Sequence, residues 1–353
     1  MVSTPAPEST DKVPVAIKNA LNEEPVHAEF EHPELLSVYP DTKYDPIPVL
    51  PYEDRALKAD PTFKNLLAGD VTVTHLAPKI GTELSGIQLH ELTDAQKDEL
   101  ALLIAHRGVV FFRDQDITID QQLDLGRYYG PLHIHQNLGH PEGHPEVVVV
   151  ENSLANSTAM LKSQLYVPFN EWHSDVSNER QPPSYTSFKL LTNPSVGGDT
   201  LWASSYEAYE RLTPPMKAFL EGLTAIHSSK LQAETAAAKG FNIRRPPVDS
   251  EHPVIRTHPV TGRKALYVNA AFTTRIPQLS VAESDAVLRF LYKHVAQGHE
   301  FQVRFRWTKN AVAIWDNRIT HHYATFDYLP GNRHAVRVTT HGEIPHLASD
   351  AKP

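Results

Sequence analysis

Short apolar runs recur along the second half of the chain and predict β-strands. The clearest run is 301–307, in which Phe, Val, Phe and Trp alternate with Gln, Arg and Arg. A hairpin is predicted between 254 and 269, turning at Thr261 and Gly262, and paired glycines at 197–198 predict a tight turn into a strand. Apolar runs predict buried strands at 109–112, 147–150 and 311–315. A β-like run predicts a strand at 185–191, and a further buried strand is predicted at 336–340.

Helices are predicted where a capping box precedes apolar residues at helical spacing. In each box a Ser or Thr is followed three residues later by Gln or Glu, at Thr93–Gln96, Thr118–Gln121 and Ser280–Glu283. The three helices are predicted to end near His106, Gly130 and Gln297. Two more helices are predicted, one after Thr213 at a Pro-Pro pair and one in the Ala-rich stretch 230–239.

These elements together predict a mainly β fold with helical cover, in the α+β class. The expected core is a double-stranded β-helix, which is a jelly-roll or cupin-like barrel. Residues 71–346 are predicted to form this domain, and 347–353 a flexible tail. The Pro-rich residues 1–70 read as an N-terminal extension that is partly disordered or wraps the core. The polar stretch 151–170 is predicted to be a loop that closes over the site as a lid.

Composition narrows the classes of function. The formal net charge of −9, without a basic patch, argues against nucleic acid as a partner. No apolar run approaches the 18 or so residues of a transmembrane helix, and the N-terminus lacks the apolar centre of a signal peptide, so a cytoplasmic protein is expected. The chain has no cysteine, so any metal site must use His, Asp or Glu.

The sequence Trp172-His173-Ser174-Asp175 contains a candidate metal-binding pair. On an extended strand, His173 and Asp175 would point to the same face. They would then supply two ligands of the 2-His-1-carboxylate triad that holds non-haem Fe(II). The motif alone is weak, because a chain with 20 His and 42 acidic residues contains such pairs by chance.

Further candidates lie downstream of this pair. His321 and His322 are adjacent, so on a strand only one of them can face the same metal. Arg333 and Arg337 are four residues apart and would share a strand face, where two guanidinium groups suit a dianionic co-substrate and an anionic substrate. Upstream, the His pair in 133–135 offers either ligands or polar residues of a half-exposed strand.

At these residues the chain resembles the taurine dioxygenase family of Fe(II)/2-oxoglutarate-dependent oxygenases. The resemblance covers about residues 72–345. It is carried by six separate motifs: His133-Ile134-His135, Trp172-His173-Ser174-Asp175-Val176, Gly197-Gly198-Asp199-Thr200-Leu201-Trp202, Phe272-Thr273-Thr274-Arg275-Ile276, Trp315-Asp316-Asn317-Arg318, and His322-Tyr323-Ala324 followed by Arg333.

The resemblance implies roles for particular residues. The iron ligands would be His173, Asp175 and His322. The pair that holds the distal carboxylate of 2-oxoglutarate would be Thr200 and Arg333. The pair that grips a substrate sulfonate would be His135 and Arg337, with the Val176 backbone nearby. The implied chemistry uses Fe(II), 2-oxoglutarate and O2 to hydroxylate the carbon beside sulfur, and the product breaks down to an aldehyde and sulfite.

Two departures from the family pattern affect the expected substrate. The taurine enzyme binds its substrate's amine with an Asn and a Tyr, and the matching positions here are the apolar Phe169 and Leu138. A buried ammonium group would lack partners there, so taurine is not expected to be the preferred substrate. An alkyl- or aryl-sulfonate, or a sulfate ester, fits better. The long N-terminal extension resembles fungal sulfonate dioxygenases, and a homo-oligomer is expected.

Three alternatives remain open at this point. The same chemistry on a carboxylate such as a phenoxyacetate would use Arg337 equally well, although His135 and the scarcity of sulfur-containing residues favour a sulfonate. A zinc hydrolase built on the same three ligands would leave Arg333 and Thr200 without a role. A metal-free barrel would serve only as a binding module.

Overall fold

The computed structural model describes residues 30–152, 168–238, 240–328 and 331–348. The predicted lid, most of 151–170, lies outside these ranges, as do the start of the extension and most of the predicted tail. The strands within them are β1 Thr72–His75, β2 Thr82–Ser85, β3 Val109–Phe112, β4 Val147–Asn152, β5 Pro183–Thr192, β6 Thr200–Ser204, β7 Thr224–Ser228, β8 Asp249–Pro253, β9 Ile255–Thr257, β10 Lys264–Leu266, β11 Thr273–Arg275, β12 Gln302–Phe305, β13 Val312–Asp316, β14 Thr320–Ala324 and β15 Arg333–His341. The α-helices are α1 Asp94–Arg107, α2 Ile119–Tyr129, α3 Ser205–Glu210, α4 Pro214–Leu220, α5 Lys230–Ala238 and α6 Val281–Ala296.

All three predicted capping boxes form. The side chains of Thr93, Thr118 and Ser280 each accept a hydrogen bond from the backbone N–H three residues on, and the Gln or Glu there accepts one from the cap in return. Each box satisfies two N–H groups that the first helical turn leaves without partners. α1 ends at Gly108, whose φ of 74° is a conformation that glycine adopts without steric cost.

Two facing sheets form the predicted jelly-roll core. The larger sheet has the strand order β1-β2-β3-β13-β5-β15-β4, with antiparallel neighbours except for the parallel pair β2 and β3. The smaller sheet has the order β12-β6-β14 and is antiparallel. β5 lies inside the larger sheet and all ten of its residues are buried, which agrees with the strand predicted at 185–191. The fold class predicted from the sequence is confirmed.

Aromatic side chains fill the space between the two sheets. Phe111 of β3 stacks on Phe305 of β12 with ring centroids 4.0 Å apart, and Trp202 of β6 packs against Phe111 and Trp315. In β12 the side chains of Val303 and Phe305 are buried while the intervening arginine is exposed. The alternation of apolar and polar residues in the sequence therefore predicts correctly which face of this strand packs into the core.

The other elements cover the barrel. α1 and α2 pack on the face of the larger sheet that points away from the smaller one, where their leucines join a cluster with β3 and β13. The sheet β11-β7-β8 and the hairpin β9–β10 pack with α6 in a second apolar cluster. No α-helix in the described ranges is long and apolar enough to span a membrane.

Residues 30–67, here called the N-terminal strap, run along the surface of the barrel in extended segments and short 3-10 turns. Val38 pairs with His140 through reciprocal backbone hydrogen bonds of 2.8 and 3.3 Å. Further along, the backbone N–H of Tyr44 donates to the carbonyl of Arg244 at 2.7 Å, and that of Leu50 to Gln181 Oε1 at 2.6 Å. The strap therefore covers part of the barrel surface and shields it from water.

A buried ionic cluster ties the strap to the barrel. Arg318 is fully buried and donates to both carboxylate oxygens of Asp316, at 2.8 and 2.6 Å. Its third nitrogen donates to Asp54 of the strap at 2.6 Å and to Glu343 at 3.2 Å. His258 hydrogen-bonds Asp316 at 3.0 Å. Because a buried charge is tolerated only when it is paired, these residues depend on one another.

Candidate active site

The backbone pairs two of the predicted metal ligands directly. The His173 N–H donates to the His322 carbonyl at 3.0 Å, and the His322 N–H donates back at 2.8 Å. His322 lies on β14, whereas His173 forms only this isolated bridge, and the chain turns at Asp175. The prediction of an extended strand through His173 and Asp175 is therefore wrong. Val176 within the turn has φ 34°, which is strained for a β-branched residue.

The turn nevertheless brings the three predicted ligands together. One ligand atom from each of His173, Asp175 and His322 lies within 4.8 Å of the other two. Each histidine Nε2 is 3.9 Å from Asp175 Oδ1, and the buried Asp175 Oδ2 has no hydrogen-bond partner among the described residues. Two imidazole nitrogens and a carboxylate are the donor set of a non-haem Fe(II) site with open positions, so the residues fit this metal.

The surroundings keep the three groups in the states that bind a metal. His173 Nδ1 lies 2.7 Å from the Glu171 carbonyl, which assigns the proton to Nδ1 and leaves Nε2 with its lone pair. Burial lowers the pKa of His322 to about 3, so its imidazole is neutral. Burial alone would raise the pKa of Asp175, but the positive charge of Arg337 outweighs it and lowers the pKa below its ordinary value.

The adjacent histidine has a different environment. His321 Nδ1 lies 2.9 Å from Ser205 Oγ and its Nε2 lies 2.9 Å from the Val268 carbonyl. Both ring nitrogens are therefore engaged on the opposite face of β14 from His322. This is the geometry expected for neighbouring residues on a strand.

Asn317 holds the turn that carries the ligands, a contact not predicted from the sequence. Its carbonyl accepts a hydrogen bond from Ser174 Oγ at 2.6 Å, and its Oδ1 accepts from the Asp175 N–H at 3.3 Å. Its amide nitrogen donates to Thr186 Oγ1 at 2.7 Å, which anchors it to the larger sheet. The only signal in the sequence is its place in the motif Trp315-Asp316-Asn317-Arg318.

A cavity of about 140 Å³ lies between the two sheets beside the ligands. The larger sheet supplies Val150, Phe188, Trp315, Arg333 and Arg337 to its walls, and the smaller sheet supplies Thr200, Trp202, His322 and Ala324, with Trp307 and His173 completing the lining. Thr200 and Arg333, predicted as a pair, thus line one cavity with two of the metal ligands. The aromatic walls keep this space poor in water and strengthen electrostatic interactions inside it.

Arg333 is held as an incompletely paired cation. Its guanidinium lies 5.2 Å from the Phe188 ring centroid, and its Nε has no hydrogen-bond partner among the described residues. Burial lowers its pKa to about 10, so it remains charged at neutral pH. A Cβ on Gly198, which has φ 72°, would lie 3.2 Å from Arg333 Cδ. Glycine at this position thus provides both the turn into β6 and room for the arginine.

Arg337 occupies the same face of β15 as Arg333. Its NH1 donates to Asp175 Oδ1 at 2.5 Å, while its Nε is unpaired among the described residues. The spacing of four residues predicted that both guanidinium groups would share a face, and both do line the cavity. One cation is therefore placed next to a predicted ligand and the other deeper among aromatic rings.

His135 lies near Arg337 but does not line this cavity. It is buried, contrary to a half-exposed strand position, and its Nδ1 accepts hydrogen bonds from the backbone N–H groups of Asn137 and Leu138 at 3.3 and 3.2 Å. Burial lowers its pKa well below the ordinary value, with a contribution from the charge of Arg337. A neutral ring that accepts at Nδ1 carries its proton on Nε2, which can donate to an anion.

The remaining substrate positions are separated from the cavity. Phe169 lies in a 3-10 turn and lines a different cleft, of about 450 Å³, against α6, with Lys293 5.7 Å from its ring. Leu138 is 36% exposed and lines a third cleft. The Val176 side chain is buried. The structure does not bring Phe169 to the metal ligands, because the turn directs its ring towards α6, and its role in substrate choice stays a prediction.

A buried Glu179, His133 and Arg245 cluster lies behind His135. Glu179 Oε1 is 3.0 Å from His133 Nε2 and 2.7 Å from an Arg245 nitrogen. His133 is thereby occupied and is not a metal ligand. Burial alone would raise the pKa of Glu179, but the hydrogen bond from His133 and the charges of His133 and Arg245 hold the pKa at about 2.

This carboxylate predicts an acid-sensitive stability. The pKa of Glu179 is about 2 in the folded protein and ordinarily 4.5. The carboxylate therefore contributes fully to the free energy of unfolding above pH 4.5, and this contribution is lost as the pH falls towards 2. The shift corresponds to on the order of 3 kcal/mol of unfolding free energy. Urea unfolding of the wild type and of Glu179→Gln between pH 2 and pH 6 tests this. The variant is expected to lose part of the pH dependence, and an unchanged slope would contradict the assignment.

Comparisons with known proteins agree with this geometry. A model of the "Taurine catabolism dioxygenase TauD, TfdA family" matches residues 72–339. An alpha-ketoglutarate-dependent sulfonate dioxygenase of Saccharomyces cerevisiae is 44% identical over 89% of this chain and 79% of its own. An alpha-ketoglutarate-dependent sulfate ester dioxygenase of Pseudomonas putida is 35% identical over 78% of this chain and 91% of its own. A taurine dioxygenase from Burkholderia xenovorans has a similar crystal structure, with TM-score 0.66 and 33% identity over 78% of this chain and 93% of its own.

Proposed function

The chain belongs to the TauD/TfdA family of dioxygenases and is an Fe(II)- and 2-oxoglutarate-dependent enzyme, and we propose that its substrate is an organosulfonate or a sulfate ester. The observation that carries the proposal is the pair of cations on β15, Arg333 and Arg337, which line one cavity with the metal ligands His173 and His322. Two separate cations suit two anionic ligands, one of which is 2-oxoglutarate.

Each residue then has a distinct task. Fe(II) bound by His173, Asp175 and His322 would leave positions open for 2-oxoglutarate and O2 and would supply the oxidising power for C–H hydroxylation. Arg333 and the Thr200 hydroxyl would hold the distal carboxylate of 2-oxoglutarate. Thr200 already accepts a hydrogen bond from Trp307 Nε1 at 3.0 Å, which leaves its O–H free to donate.

The substrate anion would be held by Arg337 together with the Nε2–H of His135. These donors orient the substrate so that the carbon bonded to the sulfonate sulfur, or to the ester oxygen of a sulfate ester, faces the metal. Positioning of this kind is a large part of the catalytic effect. Hydroxylation at that carbon leads to an aldehyde and to sulfite from a sulfonate, or sulfate from a sulfate ester. The role would be the release of inorganic sulfur from organic compounds.

Taurine is a poor candidate because its ammonium group would find no partner in the cavity. The described lining of the cavity contains no Asp or Glu side chain, and Asp175 beside it is already paired with Arg337. A substrate ammonium group would be buried there without a partner. The experiment is a screen of taurine, alkanesulfonates, alkyl sulfates and phenoxyacetates, with succinate and sulfite or sulfate release as readouts. Taurine as the best substrate, or turnover of carboxylates alone, would overturn the proposal.

The two arginines are expected to affect different ligands. Arg333→Gln should raise the KM for 2-oxoglutarate by about 10- to 100-fold, because a charge-assisted hydrogen bond is lost, with little change in the KM for the sulfonate. Arg337→Gln should raise the KM for the sulfonate by a similar factor and change that for 2-oxoglutarate less. Steady-state kinetics with each ligand varied in turn measures both values. The reverse pattern would exchange the two roles.

A further inference from the structure

A large apolar cleft lies next to the candidate active site. Its volume is about 470 Å³, and it lies between the N-terminal strap, α5 and the segments around 138 and 272. Five of its wall residues are large and apolar, namely Tyr39, Leu138, Leu231, Phe241 and Phe272. Leu231 is 71% exposed and Phe241 37% exposed. Apolar side chains left open to water in one concave place are typical of a binding site.

The cleft is joined to the site through hydrogen bonds. Its wall residue Glu171 accepts a hydrogen bond from His173 Nδ1 at 2.7 Å through its backbone carbonyl. Its wall residue Leu138 donates its backbone N–H to His135 Nδ1 at 3.2 Å. The two histidines assigned to metal and to substrate are thus each bonded to a residue of the cleft wall.

The sizes of the two spaces argue for an occupant that extends from the site. The cavity between the sheets, at about 140 Å³, is smaller than the 300–1,000 Å³ typical of small-molecule sites, whereas the cleft falls within that range. A substrate whose anionic head is held by Arg337 and His135 must place the rest of its structure elsewhere. The described wall of the cleft contains no Lys or Arg and one acidic residue, Glu171, so it does not suit a second anion.

The strap supplies one aromatic wall of the cleft. Tyr39 stacks on Phe241, with ring centroids 4.6 Å apart and an interplanar angle of 19°. The Tyr39 carbonyl accepts a hydrogen bond from Asn242 Nδ2 at 3.1 Å, and the preceding Val38 is paired with His140. Both partners of the ring pair are therefore held in place by backbone contacts. Such a preorganised aromatic surface binds alkyl chains and rings at little entropic cost.

We propose that this cleft binds the apolar tail, alkyl or aryl, of the anionic substrate, with Tyr39 and Phe241 as specificity-determining residues. The proposal rests on the proposed function for the position of the anionic head. It assigns the N-terminal strap a part in substrate choice. It also moves the selection of the tail away from Phe169, which lines a different cleft.

The test measures kcat/KM of the Fe(II)-loaded enzyme for linear alkanesulfonates of two to eight carbons, by sulfite release. In the wild type kcat/KM should rise by about fourfold for each methylene that enters the cleft. Phe241→Ala should lower it by about tenfold or more for the eight-carbon substrate and by less than about twofold for the two-carbon one. Thr235→Trp, which places a large side chain in the cleft from α5, should have the same selective effect.

The matched control is Phe219→Ala, which removes another exposed phenylalanine, 43% exposed, from α4. It should leave the ratio of long-chain to short-chain kcat/KM unchanged. An unchanged ratio in Phe241→Ala and Thr235→Trp would overturn the tail site. If these substitutions leave the ratio unchanged but abolish self-association in sedimentation experiments, the cleft is a contact between copies of the chain and the proposal is wrong.

Failure of the proposed function would give a different result. In that case the wild type would turn over no sulfonate or sulfate ester of any length. The same chain-length series is then run with carboxylates, and without turnover in either series, tail binding is measured by anaerobic calorimetry. In the turnover series and in calorimetry alike, a dependence on chain length that Phe241→Ala removes supports tail binding in the cleft. A dependence on chain length that survives the substitution overturns it.

Discussion

Replacing His322 with alanine is expected to remove Fe(II) from the protein and to lower 2-oxoglutarate turnover by more than about 100-fold. Loss of a residue that only hydrogen-bonds a metal ligand typically costs about 10- to 100-fold, and loss of the ligand itself should cost more. The two remaining ligand atoms, His173 Nε2 and Asp175 Oδ1, are 3.9 Å apart and would hold a divalent ion with one fewer donor. Iron content after anaerobic reconstitution, and succinate release under air, measure the two effects.

The neighbouring residue provides the control. His321→Ala leaves Ser205 Oγ and the Val268 carbonyl without their partner and opens a cavity, so the melting temperature should fall. Iron content should stay close to that of the wild type, because His321 faces away from the other ligands. Loss of iron in His321→Ala with retention in His322→Ala would reverse the assignment.

The second large effect concerns stability. Arg318→Leu is expected to lower the free energy of unfolding by about 3–5 kcal/mol, because it leaves the buried carboxylates of Asp316 and Asp54 without their cation. Urea unfolding of the metal-free protein at neutral pH measures the loss. Limited proteolysis should also show earlier cleavage in the N-terminal strap, since Asp54 is one of its anchors.

An exposed ion pair serves as the comparison. Arg304 is 53% exposed and pairs with Asp199 at 2.6 Å. Arg304→Gln should change the unfolding free energy by less than about 1 kcal/mol, because water already screens this pair. Equal losses of unfolding free energy in Arg304→Gln and Arg318→Leu would show that burial does not determine how much the Arg318 cluster contributes to stability.

Features of the fold that depend on near neighbours in the sequence were predictable. The capping boxes at Thr93, Thr118 and Ser280 form because their partners are three residues away and need no tertiary contact. The turn at the paired glycines forms because it needs positive φ at both positions, 76° and 72°, which glycine adopts without steric cost. The shared face of Arg333 and Arg337 follows from strand periodicity alone, once β15 is recognised.

Features that depend on distant partners were not predictable. Asp54 carries no local signal that it will meet Arg318 across the fold. The turn at Asp175 replaces the expected strand because Asn317 holds both Ser174 and the Asp175 N–H. The direction of the Phe169 ring depends on packing against α6. The identities of the candidate ligands could thus be inferred from the sequence, whereas the groups that orient them could not.

The reciprocal backbone pairing of His173 with His322 links metal binding to folding. The two residues are far apart in the chain, and the pairing between them is an isolated bridge rather than part of a long ladder. A metal held by both side chains acts as a crosslink that closes this long loop, so part of its binding free energy is folding free energy. Iron supply would thereby determine how firmly the segment around His173 is held against β14, as well as whether the enzyme can react.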